Sequence, residues 1–357
     1  MKKFLALVLS LIMALSLVAC GGSSGDSGTA GGDAAEESAE PIEWDFYTAY
    51  SPEDGACCEV WQQLFDKIYE ETEGQLKINI YWYGQHPYEG EEMLKVISDG
   101  TAQLAHFYSG YVESVEPALA VEGLPLLMPI DGYEAYEILT ALWGGFEGDT
   151  SGALEAILQE EWGATMVHCM PASPQRLFTA GYTAIEPDSL VNHKIRTYST
   201  ATAAFVQALG GTPVSISLSE TYTGLSTNLV DGLITSTLFG YNNGVFDFVD
   251  AVNVWEISSS TDGMICNQEA LNALPDDVRA TFQRIMKESA TAPETLEIDA
   301  NDELLAQLES EGVQVLVPDD AFRNSIRDEL EETVWSEWLA DAGEDGQAVL
   351  DQINGML

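Results

Sequence analysis

The middle of the chain alternates short apolar strands with short helices, and this order limits the possible folds more than any other feature. Residues 193–198 predict a strand, and Ser199 is a suitable N-cap for the helix that follows. Residues 214–218 alternate apolar side chains with serines, Ser219 can cap a second helix, and residues 233–237 predict a third strand. This β-α-β-α-β order implies a parallel sheet with right-handed crossovers, in which ligands bind beyond the carboxyl ends of the strands.

The first part of the folded region has the same rhythm. Strands are predicted at 44–47, 76–82 and 104–107, with helices at 57–68 and 91–98 between them. The folded region, residues 42–357, is long enough for two such units. The sequence therefore predicts a two-lobed α/β protein with parallel-rich sheets and a ligand cleft between the lobes.

The C-terminal part is predicted to contain long helices. Residues 276–312 are rich in helix-forming sequence, but Pro293 interrupts them. Because proline inside a helix costs about 3 kcal/mol, we expect a break or kink near Ala292.

The N-terminus has the pattern of an export signal. Two lysines precede an apolar run at 4–19 that is too short to span a bilayer comfortably. Cys20, directly after Leu-Val-Ala, is similar to the lipobox cysteine that bacteria lipidate; the alternative is an ordinary secretory signal with Cys20 incidental. Residues 20–41 are rich in Gly, Ser, Ala and acids, which predicts a disordered tether. We therefore expect a lipoprotein signal peptide at 1–19 and an exported protein, lipid-anchored to the outer face of the cytoplasmic membrane.

Acidic residues outnumber basic ones by 59 to 13, and the formal net charge is −46. Nucleic-acid binding needs basic patches that this sequence lacks, so no nucleic-acid partner is predicted. The cysteines show no metal-binding spacing, and neither a metal nor a cofactor is predicted. Because the protein is expected to be exported, a disulfide joining Cys57 or Cys58 to Cys169 or Cys266 remains open.

Two isolated arginines, Arg176 and Arg196, suggest an anion-binding site. Between residues 4 and 278 the only other permanently basic side chains are four lysines. Guanidinium grips a carboxylate with two parallel hydrogen bonds. The alternative is a structural ion pair with one of the many acids of the chain. Arg196 and Thr235 are predicted near the carboxyl ends of neighbouring strands, where a ligand would bind.

The order and spacing of several short motifs resemble one protein family. The motifs are Thr72-Glu73-Gly74 before Ile78-Asn79-Ile80-Tyr81, Glu92-Met93-Leu94-Lys95 through Asp99-Gly100-Thr101, Glu122-Gly123-Leu124-Pro125-Leu126-Leu127, Arg176-Leu177-Phe178-Thr179, Leu190 through Lys194-Ile195-Arg196, Ala208-Leu209-Gly210-Gly211-Thr212-Pro213, Ser219-Glu220-Thr221-Tyr222 and Val230-Asp231-Gly232. In these motifs the chain resembles the DctP-type solute-binding proteins of tripartite ATP-independent periplasmic (TRAP) transporters, over nearly all of the mature domain.

The resemblance implies a two-lobed receptor that closes on a carboxylate-containing solute and hands it to membrane permease subunits. It implies that Arg196, in the Lys-x-Arg strand, forms a salt bridge with the ligand carboxylate. It also implies that Arg176 contributes to the ligand site. The alternative is that Arg176 only braces Arg196. Thr235 and Ser236 depart from the family, which commonly has an asparagine followed by a proline there. A hydroxyl offers fewer hydrogen bonds than an amide, so the usual dicarboxylate or sialic-acid-like substrates are in doubt.

Aromatic residues near strand ends are expected to shape the rest of the cleft. They are Tyr50, Trp82, Phe107, Tyr108, Tyr111, Phe239 and Tyr241. Most are expected to pack within or between the lobes. Phe239 and Tyr241 are the preferred ligand contacts, with Trp82 and Tyr108 as further candidates, and they favour a ligand with an apolar or aromatic body.

The sequence thus predicts a binding protein and not an enzyme, because it contains no nucleophile elbow, zincin motif or phosphate loop. Lobe 1 is expected to comprise 42–173 plus 262–301, and lobe 2 to comprise 174–261 plus 302–357. The alternatives are a lipid-anchored solute sensor and the receptor of an ATP-driven importer with the same architecture.

Overall fold

The computed structural model describes residues 40–50, 56–171, 174–216, 220–291 and 298–357. The predicted signal peptide, lipidated Cys20 and all but the end of the tether lie outside these residues, as do the Ser219 cap and Pro293. Among the described helices, none has the length and apolar composition needed to cross a membrane.

The described residues contain eleven strands, arranged in two sheets. They are β1 (Ile42–Tyr47), β2 (Leu76–Tyr81), β3 (Leu104–Tyr108), β4 (Ala164–Pro171), β5 (Gln175–Thr179), β6 (Lys194–Thr197), β7 (Thr212–Ser215), β8 (Gly232–Ser236), β9 (Ala251–Asn253), β10 (Thr261–Asn267) and β11 (Gln314–Leu316). The strand order is β2-β1-β3-β10-β4 in the first sheet and β11-β9-β5-β8-β6-β7 in the second.

Each sheet is parallel where the sequence predicted alternating strands and helices. In the first sheet β1 pairs in parallel with β2 and β3, and β10 runs antiparallel to β3 and β4. In the second sheet β6 pairs in parallel with β7 and β8, whereas β5 runs antiparallel to β8 and β9. The predicted mixed α/β fold with two parallel-rich sheets is confirmed.

Thirteen α-helices are present in the described part of the chain. They are α1 (Ala56–Glu71), α2 (Met93–Ser98), α3 (Ser109–Val112), α4 (Gly132–Leu142), α5 (Ala153–Trp162), α6 (Thr200–Ala208), α7 (Thr221–Ser226), α8 (Thr237–Asn242), α9 (Gln268–Ala273), α10 (Asp276–Ala290), α11 (Ile298–Ser310), α12 (Asp320–Leu330) and α13 (Ser336–Asn354). Ser199 caps α6 as predicted, because its side chain accepts a hydrogen bond from the backbone of Thr202.

Apolar side chains bury both faces of each sheet. On the first sheet α1 and α10 cover one face around Trp61 and Phe282, and α2, α4, α5 and α13 cover the other around Trp143. On the second sheet α6 and α12 pack around Phe205, while α11 packs on the opposite face around Phe178. Burying such a side chain stabilises the fold by roughly 1.5–3 kcal/mol, which is why the helices follow the apolar faces of the strands.

The C-terminal helices divide between the two sheets. α12 packs against α6, and a π-helical turn at Glu331–Trp335 then leads into α13. α13 packs on the first sheet, since Trp338 and Ile353 belong to its apolar cluster. The expected assignment of all of 302–357 to lobe 2 therefore needs correction: the apolar stripe of α13 finds its partner in lobe 1. α10 ends at Ala290, and the next helix begins at Ile298.

The chain crosses between the sheets along two hydrogen-bonded extended segments. Gln175 and Ser258 are joined by one backbone hydrogen bond, and the Ile257 amide donates to the Gln175 carbonyl. The Leu126 amide donates to the Ile257 carbonyl and adds a third segment from lobe 1. This junction holds the carboxyl ends of β3, β6 and β8 near one another.

Candidate functional site

The two lobes meet at aromatic side chains at the carboxyl ends of β3 and β6, Tyr108 and Tyr198. Tyr198 is 43% exposed, while its hydroxyl shares a 3.3 Å hydrogen bond with the Ser258 hydroxyl. Burial of the hydroxyl raises the pKa of Tyr198, and Tyr108 from lobe 1 adds to the rise. Tyr108 in turn is hydrogen-bonded to Ser260. An exposed ring with an enclosed hydroxyl is what the wall of a cleft presents to a ligand.

Arg196 lies at the base of this wall and is 3% exposed. Its Nε donates to the Ile216 carbonyl at 3.2 Å, and its Nη1 donates to the Ile234 carbonyl at 2.7 Å. Its guanidinium carbon lies 5.2 Å from the centre of the Tyr198 ring. Burial lowers the pKa of the guanidinium. Within the described part of the chain Arg196 forms no ion pair, so its charge is buried without a counter-charge.

Arg176 has a different environment, although it is equally buried. Its Nε contacts the two carboxylate oxygens of Glu256 at 3.0 and 3.2 Å, and its Nη2 donates to Oε1 at 2.5 Å. Its Nη1 donates to the Thr237 hydroxyl at 2.9 Å. Glu256 is 7% exposed. Burial raises the pKa of the Glu256 carboxyl, and the Arg176 charge opposes that rise. Arg176 is thus engaged in the internal ion pair that the sequence left open as its alternative.

Thr235 lies between the two arginines. It is the cross-strand partner of Arg176, while Arg196 on the other side of β8 is in register with Leu233. Because side chains alternate along a strand, Leu233 and Thr235 share a face, and the three polar side chains lie on one face of the sheet. Thr235 is buried, and its methyl group packs near Gly240 of α8.

A cavity of about 150 Å³ lies beside Arg176 at the junction of the lobes. Its lining is mainly apolar, with Met128, Ile130, Leu139, Val254 and Leu305 among its residues, and Arg176, Glu256 and Asp302 are its charged members. Arg196 is not part of this lining. The cation that lines this cavity, Arg176, is already paired with Glu256.

Residues 49–340 match the model of the family described as bacterial extracellular solute-binding protein, family 7 (DctP). The chain belongs to this family. It is 23% identical to the ectoine-binding periplasmic protein TeaA of Halomonas elongata over 319 residues, which cover 87% of this chain and 89% of TeaA. It is 22% identical to the ectoine/5-hydroxyectoine-binding periplasmic protein UehA of Ruegeria pomeroyi, over 85% and 91% of the two chains.

Solved structures of TRAP solute-binding proteins share the fold of this DctP-family protein. The apo state of TeaA, the ectoine-binding protein of the TeaABC TRAP transporter, has a TM-score of 0.74 at 22% identity, over 88% of this chain and 99% of TeaA. DctP6, a pyroglutamic acid-binding receptor of Bordetella pertussis, has a TM-score of 0.68 at 19% identity, over 88% and 100% of the two chains. This DctP-family solute-binding protein therefore has the two-lobed fold of these structures.

The remaining predicted ligand residues of this DctP-family protein occupy varied places. Tyr108 lies at the junction of the lobes, as expected for a cleft residue. Trp82 is half-buried and packs against the apolar cluster of lobe 1. The Tyr241 hydroxyl accepts a hydrogen bond from Gln307 of α11 and the side chain is 42% exposed, so its partner is a helix and not the arginine pair. Phe239 is half-buried, and its amide is hydrogen-bonded to the Ser236 hydroxyl at the start of α8.

An acid of the lobe 1 wall was not predicted. Asp262 accepts a hydrogen bond from the Tyr50 hydroxyl at 2.8 Å and lies 3.0 Å from Nε2 of His106. The His106 ring also contacts Tyr50 and Tyr111. Asp262 is one of 59 acids in the chain, and nothing in its local sequence distinguishes it. The same is true of Glu256, which lies 80 residues from Arg176.

The buried thiols of the DctP-family chain are free. Cys169 and Cys266 are both buried and unoxidised, and burial raises the pKa of each thiol. They therefore act as small apolar groups. The structure does not describe the side chains of Cys57 and Cys58. Among the described residues no group of three or more His, Cys, Asp or Glu side chains is placed to hold a metal ion.

One further buried acid lies at the junction of the lobes. Glu122 is fully buried; its Oε1 accepts a hydrogen bond from Thr261, and its Oε2 has no partner among the described residues. Burial raises the pKa of Glu122 to about 7. In contrast to Glu256, Glu122 has no arginine beside it in the described structure.

Proposed function

We propose that this chain is the receptor of a TRAP transporter that captures a small organic acid through Arg196 and delivers it to membrane permease subunits. The observation that carries the proposal is the buried Arg196 charge, which has no acidic partner in the described part of the chain. A buried charge without a counter-charge is costly, and a ligand carboxylate would supply that counter-charge.

A third buried arginine supports this choice by contrast. Arg323 also donates to backbone carbonyls, those of Trp255 and Met128. Burial lowers the pKa of Arg323 and Arg327 lowers it further, but Glu256 and Asp320 lie close enough to oppose that fall. For Arg196 the one charged or titratable neighbour in the described part of the chain that acts on its pKa is Tyr198. Arg196 is therefore the buried arginine with the strongest need for an external anion.

The proposed capture mechanism uses both lobes. The carboxylate would bind Nη2 of Arg196, the guanidinium nitrogen that donates to no acceptor in the described structure. Tyr198 and Thr235 would line the site from lobe 2, and Tyr108 would contact the ligand from lobe 1. Closure would exclude water and strengthen the ion pair, and the higher affinity of the closed form would drive closure.

The names of the relatives fit a carboxylate ligand. Ectoine, bound by TeaA, and pyroglutamic acid, bound by DctP6, both carry a carboxyl group. For this chain we propose the same functional group, without assigning either molecule. Arg176, held by Glu256, would brace the site. Tyr241 and Trp82 would be peripheral.

A thermal-shift screen tests the proposal. Wild-type protein is melted with pyroglutamate, ectoine, glucuronate, C4 to C6 organic acids and neutral sugars. A ligand at a hundredfold its Kd should stabilise by about 2.7 kcal/mol. Arg196→Ala should abolish the shift given by the best acid, whereas Arg279→Ala should keep it, because Arg279 pairs with Asp276 on the surface. A neutral sugar that shifts the melt while no acid does would refute the proposal.

We also propose that the receptor is exported and anchored by lipid on Cys20. The support is the apolar run at 4–19 that ends in Leu-Val-Ala before the cysteine, and the Gly/Ser-rich residues that follow. Expressed in a bacterium that is fed a radiolabelled fatty acid, the wild type should carry label and fractionate with membranes. Cys20→Ser should carry none. A labelled Cys20→Ser variant, or a wild type that is cleaved but unlabelled, would favour the ordinary secretory signal.

A lipid-anchored sensor and an ATP-driven importer's receptor are the alternatives to transport by TRAP permease subunits. Pull-down of solubilised permease subunits by the liganded receptor separates them, since a sensor or an ATP-driven receptor would not retain TRAP subunits.

A further inference from the structure

We propose that Glu256 determines the ligand class of the cleft: by neutralising Arg176 it leaves Arg196 as the carboxylate-binding arginine, so that the receptor takes monocarboxylates and rejects dicarboxylates. This inference rests on the proposed function of Arg196. It adds a residue that does not touch the ligand but decides how many carboxyl groups the site can bind.

The placement of the two arginines would otherwise suit a diacid. Arg176 on β5 and Arg196 on β6 are separated by β8, and adjacent strands lie about 4.8 Å apart, which places the two strands roughly 10 Å apart. Both side chains lie on the same face, on either side of Thr235. The Arg196 guanidinium reaches the Ile234 carbonyl of the intervening strand, and the Arg176 guanidinium reaches Thr237. Two free guanidinium groups in this arrangement could grip both ends of a small dicarboxylate.

Glu256 makes one of these two guanidinium groups, that of Arg176, unavailable to a ligand. All three nitrogens of the Arg176 guanidinium are used: Nε and Nη2 bind the Glu256 carboxylate, and Nη1 binds Thr237. A second carboxylate would have to displace a carboxylate that is already in place, buried and held by several hydrogen bonds. If the ligand carboxylate replaced Glu256 as the partner of Arg176, one buried ion pair would be exchanged for another, with little gain in binding free energy. Glu256 would also be left buried and unpaired, which costs free energy.

The backbone of Glu256 is consistent with a dedicated role. Its φ is 47°, in the left-handed region that non-glycine residues rarely adopt. Such a conformation costs on the order of 1–3 kcal/mol and persists where the surrounding structure holds it.

Charges around the adjacent cavity also act against a second carboxylate. Glu256 and Asp302 line the cavity with Arg176, and Arg323 of α12 acts on Glu256 from outside the lining. Two negative charges thus face two positive charges, and no surplus positive charge remains in this group. The net charge of the chain is −46, so the long-range electrostatic field of the protein does not attract the second negative charge of a diacid either.

The test compares acid pairs that differ only by the second carboxyl group. Wild-type protein is titrated calorimetrically with butanoate and succinate, with pentanoate and glutarate, and with pyroglutamate as an additional monocarboxylate. We expect the monocarboxylate of a pair to bind at least about tenfold more tightly than its diacid, a difference of about 1.4 kcal/mol. Glu256→Gln should shift the ratio toward the diacid by about tenfold or more, because it frees Arg176 while keeping the side-chain shape. A wild type that prefers the diacids, or a folded Glu256→Gln variant with an unchanged ratio, overturns the inference.

Two control variants separate specificity from stability. Arg176→Met combined with Glu256→Met removes both charges and should keep the wild-type preference for monocarboxylates; a shift toward diacids in this double variant overturns the inference even if Glu256→Gln fails to fold. Glu331→Gln removes an acid that pairs with Arg327 away from β5 and should leave the ratio unchanged.

Failure of this inference can be distinguished from failure of the proposed function. If Arg196→Ala retains wild-type affinity for the monocarboxylates, Arg196 is not the clamp and the proposed function fails. If Arg196→Ala loses that affinity while Glu256→Gln keeps the wild-type ratio, the clamp is retained and only the role of Glu256 is refuted.

Discussion

Arg176 and Arg196 lie on the same face of one sheet, with β8 between them, and both are 3% exposed. Arg176 has a bidentate partner in Glu256, whereas the partners of Arg196 among the described residues are two backbone carbonyls and an aromatic ring. The difference teaches that burial alone does not identify a ligand-binding charge. A buried charge that the protein itself neutralises serves structure, and one left without a counter-charge is suited to an external ion.

The buried acids show the same contrast. Glu256 meets Arg176, while Glu122 meets the Thr261 hydroxyl and no arginine in the described structure. Burial raises the pKa of both carboxyls, but only for Glu256 does an arginine oppose the rise. Glu122 is therefore expected to accept a proton near neutral pH, where Glu256 remains the counter-ion of Arg176.

The largest expected effect comes from disrupting the Arg176–Glu256 ion pair. Arg176→Ala or Glu256→Ala should each lower the free energy of unfolding by about 3–5 kcal/mol, because each leaves a buried charge unpaired. Replacing both residues by methionine should cost no more than about 1 kcal/mol, since no unpaired charge remains. Urea denaturation followed by circular dichroism measures all three. Equal losses in the single and double variants would contradict the view that the pair is mutually neutralised.

The next effect concerns Glu122, a buried acid that has no cationic partner in the described structure. Burial raises the pKa of this carboxyl from its ordinary value of 4.5 to about 7 in the folded protein. The folded state therefore binds more protons between these pH values, so the stabilisation is fully present below about pH 4.5 and is lost as the pH rises through about 7. The difference corresponds to on the order of 3 kcal/mol.

Glu122→Gln should remove this pH dependence, because the amide has no proton to lose. The free energy of unfolding of the wild type, relative to that of the variant, should fall as the pH rises from 5 to 8. The fall should be on the order of 3 kcal/mol at most. Denaturation curves at each pH provide the measurement. Groups present in both proteins, such as His168, whose pKa burial lowers to about 4, cancel in the difference between wild type and variant. A wild type that gains stability relative to the variant as the pH rises would show that Glu122 is ionised in the fold.

A smaller effect is expected at Arg196, the arginine that forms no ion pair in the described structure. Arg196→Lys keeps the charge but loses the planar guanidinium that donates to two carbonyls and faces a ring. We expect the affinity for the best carboxylate to fall by about tenfold or more, with a smaller loss than for Arg196→Ala. Calorimetric titration measures both variants. Full affinity in Arg196→Lys would mean that positive charge alone, without guanidinium geometry, suffices.

The smallest effect is expected at Tyr241. Its hydroxyl meets Gln307 of α11, so Tyr241→Ala should change ligand affinity by less than about twofold. Tyr198→Ala is the matched comparison and should weaken binding severalfold, because Tyr198 packs over Arg196 at the junction of the lobes. If Tyr241→Ala lost more affinity than Tyr198→Ala, the aromatic wall of the cleft would have to be placed at α8.

Local patterns predicted most of the secondary structure. The alternation of apolar and polar residues gave β2, the serine before residues 200–208 gave the start of α6, and β6, β7 and β8 form the predicted parallel unit. Boundaries were less predictable. Thr237 begins α8 instead of ending β8, because the Ser236 side chain accepts a hydrogen bond from the Phe239 amide and caps the helix.

Long-range partners were not predictable from one sequence. Glu256 lies 80 residues from Arg176, and Asp262 lies 156 residues from His106. The placement of α13 on lobe 1 depends on an apolar face whose partner no local pattern names. Each of these contacts arises when segments far apart in sequence are brought together by burial of their apolar surfaces.

The sequence by itself determined the alternating strands and helices, the acidic charge, the two isolated arginines and the family to which the chain belongs. These follow from residue type, spacing and order, which are local properties. Only the tertiary structure decided that Glu256 neutralises Arg176 and that Arg196 lies buried without an acid in the described part of the chain. The physical reason is that the electrostatic state of a buried charge depends on which groups the fold places within a few ångströms of it, and sequence distance does not encode that proximity.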